Sequence, residues 1–180
     1  MLEIEIPRTE IWDNENEVFS YVDSCKLVLE HSLISISKWE SKWNKPFLTR
    51  DEKTPEEMID YVKCMIVNRA DPVVCNCLTT DNYKQINDYI AAPMTATTFR
   101  ENGGTPRGNR EIMTAEVIYF YMISFGIPFE CEKWHINRLL TLIRVCSIKN
   151  APSKKMSKSA AAKQQRALNA QRRAKAHSKG

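Results

Sequence analysis

Glycine is scarce in this sequence, and long apolar runs are missing from it. Only five of the 180 residues are glycine, and three of those lie together in the segment 101–110, ENGGTPRGNR. No stretch approaches the roughly 18 apolar residues that a membrane-spanning helix needs. The beginning of the chain, MLEIEIPRTEIWD, lacks the basic and then apolar pattern of a signal peptide. The sequence therefore predicts a protein of the cytoplasm, without membrane contact.

Motifs of catalysis are also missing. The glycines of 101–110 do not have the spacing of a phosphate-binding loop, which ends in Gly-Lys followed by Ser or Thr. His31 and Ser32 are adjacent, but this serine does not lie in a strained Gly-x-Ser-x-Gly elbow. The acidic residues form none of the patterns that combine carboxylates and histidine around a metal. We predict no catalytic residue, no metal and no cofactor, and hence no enzyme. His31 and His135 are predicted to be capping or core residues.

The cysteines leave a zinc site as an alternative. Cys131 and His135 are four residues apart on a predicted helix, and Cys75 and Cys77 offer two more ligands. A single residue between Cys75 and Cys77 is too short a spacing for a zinc knuckle. Thiols stay reduced in a protein that is not exported. We therefore predict that the six cysteines are reduced and mostly in the core, rather than metal ligands or disulfides.

Charge is distributed very unevenly along the chain. Residues 151–180 contain nine of the 26 Lys and Arg residues and none of the 22 acidic residues. Residues 1–150 therefore have 17 basic and 22 acidic residues, a net charge of −5. This asymmetry predicts an acidic domain over 1–150 and a basic, flexible or conditionally helical tail over 151–180.

The domain is predicted to be mainly α-helical, with a small β-ribbon near its beginning. Residues 2–6 alternate apolar and polar side chains, residues 25–29 are a second β-like run, and the two can pair. Periodic apolar residues and capping signals predict six or seven helices. The predicted helical segments before the tail are 33–45, 54–67, 71–78, 80–92, 111–125 and 129–148. The apolar segment 111–125 is predicted to be the central helix, in an antiparallel hairpin with 129–148.

The helix predicted for 33–45 has two tryptophans on one face. Ser32 is suited to be its N-cap, and Pro46 ends it. Trp39 and Trp43 are four residues apart and so lie one above the other. Because Trp43 is flanked by polar residues, we predict that Trp39 is in the core and that Trp43 is partly exposed and available to a partner. Both are candidate partner-binding residues.

The basic residues supply the other candidate partner contacts. Arg107 lies in the glycine-containing loop, which we expect to be a mobile surface loop that can contact a partner. In the tail, the candidate residues are Lys154, Lys155, Lys158, Arg166, Arg172 and Arg173. A run of cations without acids also suits nucleic-acid phosphates. The tail has no aromatic residue for base stacking, so a dedicated nucleic-acid function is an alternative and non-specific contact is the most we expect.

Two long stretches resemble a known family. KLVLEHSLISISKWESKWNKPFL (26–48) and IPFECEKWHINRLLTLIRVC (127–146), followed by NAPSKKMS and a terminal RALNAQRRAKAHSKG, are similar to the tail assembly chaperones of long-tailed bacteriophages. The resemblance covers residues 25–180 and has no catalytic motif. It implies a protein of the host cell cytoplasm that binds the largely helical tape measure protein and aids assembly of the tail tube. The competing class is a structural virion protein of the tail or head–tail connection, which self-associates.

Overall fold

The computed structural model describes residues 1–13, 18–99, 111–151 and 158–176. Six α-helices lie in these residues: α1 Leu33–Trp43, α2 Pro55–Cys64, α3 Thr80–Ala91, α4 Ala115–Ser124, α5 Ile136–Asn150 and α6 Lys158–Lys175. Two 3₁₀ helices span Pro72–Cys77 and Phe129–Lys133. The four strands are β1 Leu2–Ile6, β2 Thr9–Asp13, β3 Val18–Val22 and β4 Cys25–Leu29. The predicted mainly α fold with a small β component is confirmed.

The chain divides into two compact units, Met1–Ser147 and Ile148–Gly180. The first contains every residue of the hydrophobic core, to which strands β1 and β4 and helices α1 to α5 contribute. The described side chains of α6, in the second unit, are all exposed. The two units therefore differ in whether burial of apolar surface stabilises them.

Strands β1 and β4 pair antiparallel as the sequence predicts. Ile4 lies opposite Leu27, and Leu2 opposite Leu29. Ile4, Ile6, Leu27 and Leu29 are buried, because alternate side chains of both strands face the helices. The segment that follows α2 continues this layer: the amide of Val67 donates to the carbonyl of Val28 at 2.9 Å.

The second ribbon, β2 with β3, is not among the predicted elements. Its strands pair antiparallel, with Trp12 opposite Phe19 and their rings in an edge-on contact at 4.8 Å. Both rings are exposed. The sequence contains a signal for it, since two aromatic and β-branched runs flank the polar residues 14–17.

Helix α1 is the centre of the first unit, in contact with α2, α4 and the second 3₁₀ helix. Ser32 is its N-cap, as predicted, and accepts from the amide of Ser35, whose hydroxyl accepts from the amide of Ser32. Asn44 ends the helix in the left-handed region, with φ of 52°. The prediction that α4 is the central helix is wrong, because only one side of α4 is buried.

A buried carboxylate connects α1 to the start of α4. Glu40 accepts the amide of Phe47 at Oε1 and the amide of Ala115 at Oε2, both at 2.7 Å. Ala115 is the first residue of α4, where backbone amides have no carbonyl partner within the helix. The Glu40 side chain therefore fixes the position of α4 on α1.

The single helix predicted for 129–148 is wrong. It is divided into the 3₁₀ helix Phe129–Lys133 and α5, with Trp134 and His135 between them. The break occurs because the amide of Ile136 donates to the carbonyl of His31 at 2.7 Å, so this backbone pairs with the entrance of α1. A 3₁₀ helix therefore separates α4 from α5, and the two do not form the simple hairpin that we predicted.

Candidate partner-binding surfaces

Trp39 and Trp43 occupy the positions that the sequence predicts. Trp39 is 1% exposed, and its indole N–H donates to the carbonyl of Glu57 at 2.9 Å. Trp43 is half-buried and stacks on Trp39 with ring centroids 6.1 Å apart. Trp39 is therefore a core residue that holds α2 against α1. Because Trp39 is buried, it cannot be one of the partner-binding residues that the sequence predicts.

Ion pairs surround the exposed edge of Trp43. The indole N–H of Trp43 donates to Asp60 at 2.9 Å, and Lys42 donates to the other oxygen of the same carboxylate. The ammonium groups of Lys42 and Lys45 lie about 6 Å from the centre of the ring. Burial raises the pKa of Asp60, but the hydrogen bonds from Lys42 and Trp43 outweigh this effect and the net shift is downward. A partner that contacts Trp43 therefore also meets the charges of these two lysines.

The two histidines form a buried network with two tyrosines. The Tyr61 hydroxyl hydrogen-bonds to Nδ1 of His31, and the ring of His31 contacts the ring of His135 at 5.0 Å. Nε2 of His135 donates to the carbonyl of Tyr89 at 3.0 Å, while Nδ1 accepts from the amide of Asn137 at 3.3 Å. This network joins the entrance of α1 to α2, α3 and α5. Both histidines are buried, as predicted for core residues.

Burial determines the protonation of this network. It lowers the pKa of His31 to about 3, an effect to which the charge of His135 adds. Burial also lowers the pKa of His135 and raises that of Tyr61. All three rings are therefore neutral at neutral pH. Each has a hydrogen-bond partner inside the fold, which is the arrangement of a structural network.

The cysteines are all free thiols. Burial raises the pKa of Cys75 to about 11, and it also raises that of Cys64, so both stay protonated. Cys131 and His135 do not share a helix, because the chain breaks between them. Among the described residues, no group of three or more His, Cys, Asp or Glu side chains is placed to hold a metal ion.

A cleft of about 320 Å³ lies between the start of α1 and the end of α2. Its walls are mostly apolar and include Ile34, Met65 and Val67, with Lys38 and Lys133 in the lining. Cys64 also lines this cleft, but its raised pKa leaves it a poor nucleophile. The cleft therefore offers apolar contact and two cations, without a reactive group.

Helix α4 is apolar on both its buried and its exposed side. Ala115, Ile118 and Met122 face the core. On the other side Phe120 is 63% exposed and Ile123 is 65% exposed. Tyr119 extends this surface and contacts the exposed ring of Phe129 at 6.4 Å. We call these four residues, Tyr119, Phe120, Ile123 and Phe129, the α4 patch.

Carboxylates border the α4 patch. Glu116 lies one turn before Phe120 on the same exposed face, and Glu130 is exposed beside Phe129. Glu132 accepts a hydrogen bond from the Tyr119 hydroxyl at 2.9 Å. Burial, with this hydrogen bond, raises the pKa of Tyr119 to about 12. The patch is thus an apolar surface with an acidic border, although the sequence predicts that the segment 111–125 is the central helix.

The basic residues of the tail lie partly in α6. Arg166, Arg172 and Arg173 are on this helix with exposed side chains, and Lys158 is its first residue. They belong to the second unit, whereas Trp43 and the α4 patch belong to the first. Arg107, Lys154 and Lys155 lie outside the described residues.

No helix in the described ranges has both the length and the apolar character to cross a bilayer. Comparison of the chain with protein-family models, with curated proteins and with solved structures finds no match.

Proposed function

We propose that this protein is a non-catalytic tail assembly chaperone of a long-tailed bacteriophage, which binds the tape measure protein through the α4 patch. The observation that carries the proposal is the exposure of Phe120 and Ile123 on a helix whose other side is in the core. Exposed apolar patches on a folded domain are typical of interaction sites. Aromatic side chains in such a patch commonly supply most of the binding energy.

The border of the α4 patch favours one kind of client. Glu116 and Glu130 repel an acidic segment and attract a basic one. The exposed apolar side of α4 suits the apolar stripe of an amphipathic helix, which binds through residues three and four positions apart. The proposed client segment is therefore a helix of the tape measure protein that has an apolar stripe with Lys or Arg beside it.

The resemblance of 26–48 and 127–146 to tail assembly chaperones supports the same function. A chaperone of this kind works in the host cell cytoplasm and covers apolar client surface until tail-tube subunits replace it. Such a role needs no catalytic group. The buried, neutral histidine network and the protonated Cys64 and Cys75 are compatible with it.

Co-expression with the tape measure protein of the same phage, followed by a pull-down, tests the proposal. The wild-type chain should retain the client, and Phe120→Ala/Ile123→Ala should lose at least about 90% of it, since two central aromatic or aliphatic contacts are removed. Phe19→Ala/Tyr21→Ala is the matched control, because these β3 side chains are also exposed. Equal retention by both double variants would contradict the α4 patch as the binding site.

Mass spectrometry of purified virions separates the chaperone from a structural component. A chaperone leaves before the tail is complete and should be absent from virions. A fixed copy number in virions would contradict the proposal and indicate a structural protein of the tail or head–tail connection. Failure of the wild-type chain to bind the tape measure protein would contradict it as well.

A further inference from the structure

Helix α6 has a strong positive charge that nothing in its own sequence balances. Its 18 residues include six Lys and Arg and no acidic residue. Described side chains from Ala162 to Ala176 are all exposed. Like charges that are three or four residues apart, such as Lys163 and Arg166, destabilise a free helix by mutual repulsion. A polyanionic partner removes this repulsion and is expected to stabilise α6.

The three arginines of α6 lie on one face of the helix. At 100° per residue, Arg166, Asn169 and Arg173 lie in one row, and Gln165 and Arg172 lie beside it. The rest of the helix surface is mixed, with small residues such as Ala167 beside polar ones such as Lys163 and Gln171. Guanidinium groups match phosphate oxygens with two parallel hydrogen bonds, and amide side chains hydrogen-bond to phosphates and to base edges. This face has the chemistry of a nucleic-acid contact.

A protein partner fits α6 less well. Helices that bind proteins insert large apolar or aromatic residues into a groove. Leu168 is the only large apolar side chain in α6, and the helix has no aromatic residue. A phosphate backbone requires no apolar anchor, because release of condensed counterions drives binding.

The form of the nucleic acid follows from the same residues. Single strands bind to proteins that stack their bases on aromatic rings, and α6 has none. The major groove of B-form DNA admits an α-helix, whereas the major groove of duplex RNA is too narrow. From Gln165 to Arg173 the helix rises about 12 Å, the length of three or four base pairs.

We propose that α6 binds duplex DNA through phosphate contacts of Arg166, Arg172 and Arg173, without sequence specificity. This site does not include the α4 patch. A result for or against DNA binding therefore leaves the proposed binding of the tape measure protein unaffected. The net negative charge of residues 1–150 repels DNA, so the affinity is expected to be moderate and strongly dependent on salt.

The test uses the full chain and a fluorescein-labelled 20-base-pair duplex of mixed sequence, followed by fluorescence anisotropy. Wild type should bind at low salt, and Arg166→Gln/Arg172→Gln/Arg173→Gln should weaken binding at least about tenfold. The slope of log K against log salt should become less negative by up to about 2.7, or about 0.9 for each lost phosphate contact. Arg166→Lys/Arg172→Lys/Arg173→Lys is the matched control, which should keep most of the affinity because it keeps the charge.

Competition with two unlabelled polyanions distinguishes a DNA partner from an acidic protein partner. An unlabelled duplex should displace the probe, and polyglutamate of equal total charge should do so at least about tenfold less well. Equal displacement by polyglutamate would overturn the proposal and indicate an acidic protein as the partner. It would also be overturned by the absence of duplex binding at low salt, by an unchanged affinity in the glutamine variant, or by tighter binding of a single strand of the same length.

Discussion

Helices α1 and α6 lie in different units of the chain and differ in what surrounds their side chains. In α1, Leu33, Ile36 and Trp39 are fully buried and Ser32 caps the first turn. In α6 no described side chain is buried, and its residues are good intrinsic helix formers such as Ala, Gln, Lys and Arg. The two helices therefore have different sources of stability. Burial of apolar side chains stabilises α1, whereas α6 depends on the intrinsic helix propensity of its residues and on binding to a partner.

Helix α4 is intermediate between these two. It buries Ile118 and Met122 as α1 buries its own stripe, but it also exposes Phe120 and Ile123. The exposed residues add little to the stability of the free protein, because they remain in contact with water. Folding and partner binding therefore use opposite sides of the same helix, and substitutions can separate them.

The largest effect is expected at the centre of α1. Trp39→Ala should lower the free energy of unfolding by about 3–5 kcal/mol, the usual loss for a fully buried aromatic residue. Total stability of a domain is commonly about 5–15 kcal/mol, so this variant is expected to be close to unfolding at 37 °C. Urea denaturation followed by circular dichroism measures the loss.

Trp43→Ala is the matched control for Trp39→Ala. Trp43 is half-buried and donates to Asp60, so its removal should lower the free energy of unfolding by about 1–2 kcal/mol. If Trp43→Ala unfolds the protein and Trp39→Ala does not, the assignment of the two tryptophans to core and edge is reversed.

Acid should destabilise the first unit through His31. Because its pKa is lowered to about 3 in the fold, His31 stays neutral there, while the unfolded chain takes up a proton as the pH falls below about 6.5. Stability is therefore complete above this pH and is lost progressively below it. Between pH 7 and pH 5 the loss from His31 should be about 2 kcal/mol. Urea denaturation at several pH values measures it.

His31→Gln is the control for this pH dependence, since glutamine does not titrate. The variant should start with lower stability, because its contact with Tyr61 is altered. Its loss between pH 7 and pH 5 should be smaller than that of wild type by about the same 2 kcal/mol. The pKa values of Glu57 and Asp60 are lowered in the fold. Their contribution to the stability is therefore lost only at lower pH, below the pKa near 4 that these groups have in the unfolded chain. Equal slopes for wild type and variant would exclude His31 as the cause.

The smallest effect is expected from deletion of the tail. Removal of 151–180 takes away α6, whose described side chains are not buried. The free energy of unfolding of the remaining chain should change by less than about 1 kcal/mol. The melting temperature of the truncated chain checks this expectation. Immediate aggregation of the truncated chain would show that the tail packs on the first unit after all.

Local signals in the sequence predicted local structure well. Ser32 is the N-cap of α1, and the helix ends before Pro46, as the sequence predicts. The pairing of β1 with β4 could be predicted because alternation identifies which side of each strand is buried. The spacing of the apolar residues and the polar neighbours of Trp43 also distinguish the buried Trp39 from the partly exposed Trp43.

The errors have a different physical origin. The break before α5 depends on a hydrogen bond from Ile136 to His31, residues that are 105 positions apart in the sequence, and no helical periodicity contains that information. Glu40 on α1 holds the start of α4 and so fixes which side of α4 faces the core. Phe120 is exposed because it lies on the other side. Apolar residues all around a helix indicate burial, so a surface used for binding and a surface used for folding look alike in the sequence.

The most direct test of the α4 patch compares two side chains of equal exposure. Phe120 on α4 and Phe19 on β3 are both 63% exposed. Each is replaced in turn by photo-crosslinking p-benzoylphenylalanine in the full chain, which is co-expressed with the tape measure protein and irradiated. We predict a covalent adduct with the tape measure protein from position 120 and none from position 19. An adduct from position 19 alone, or from neither position, would contradict the account.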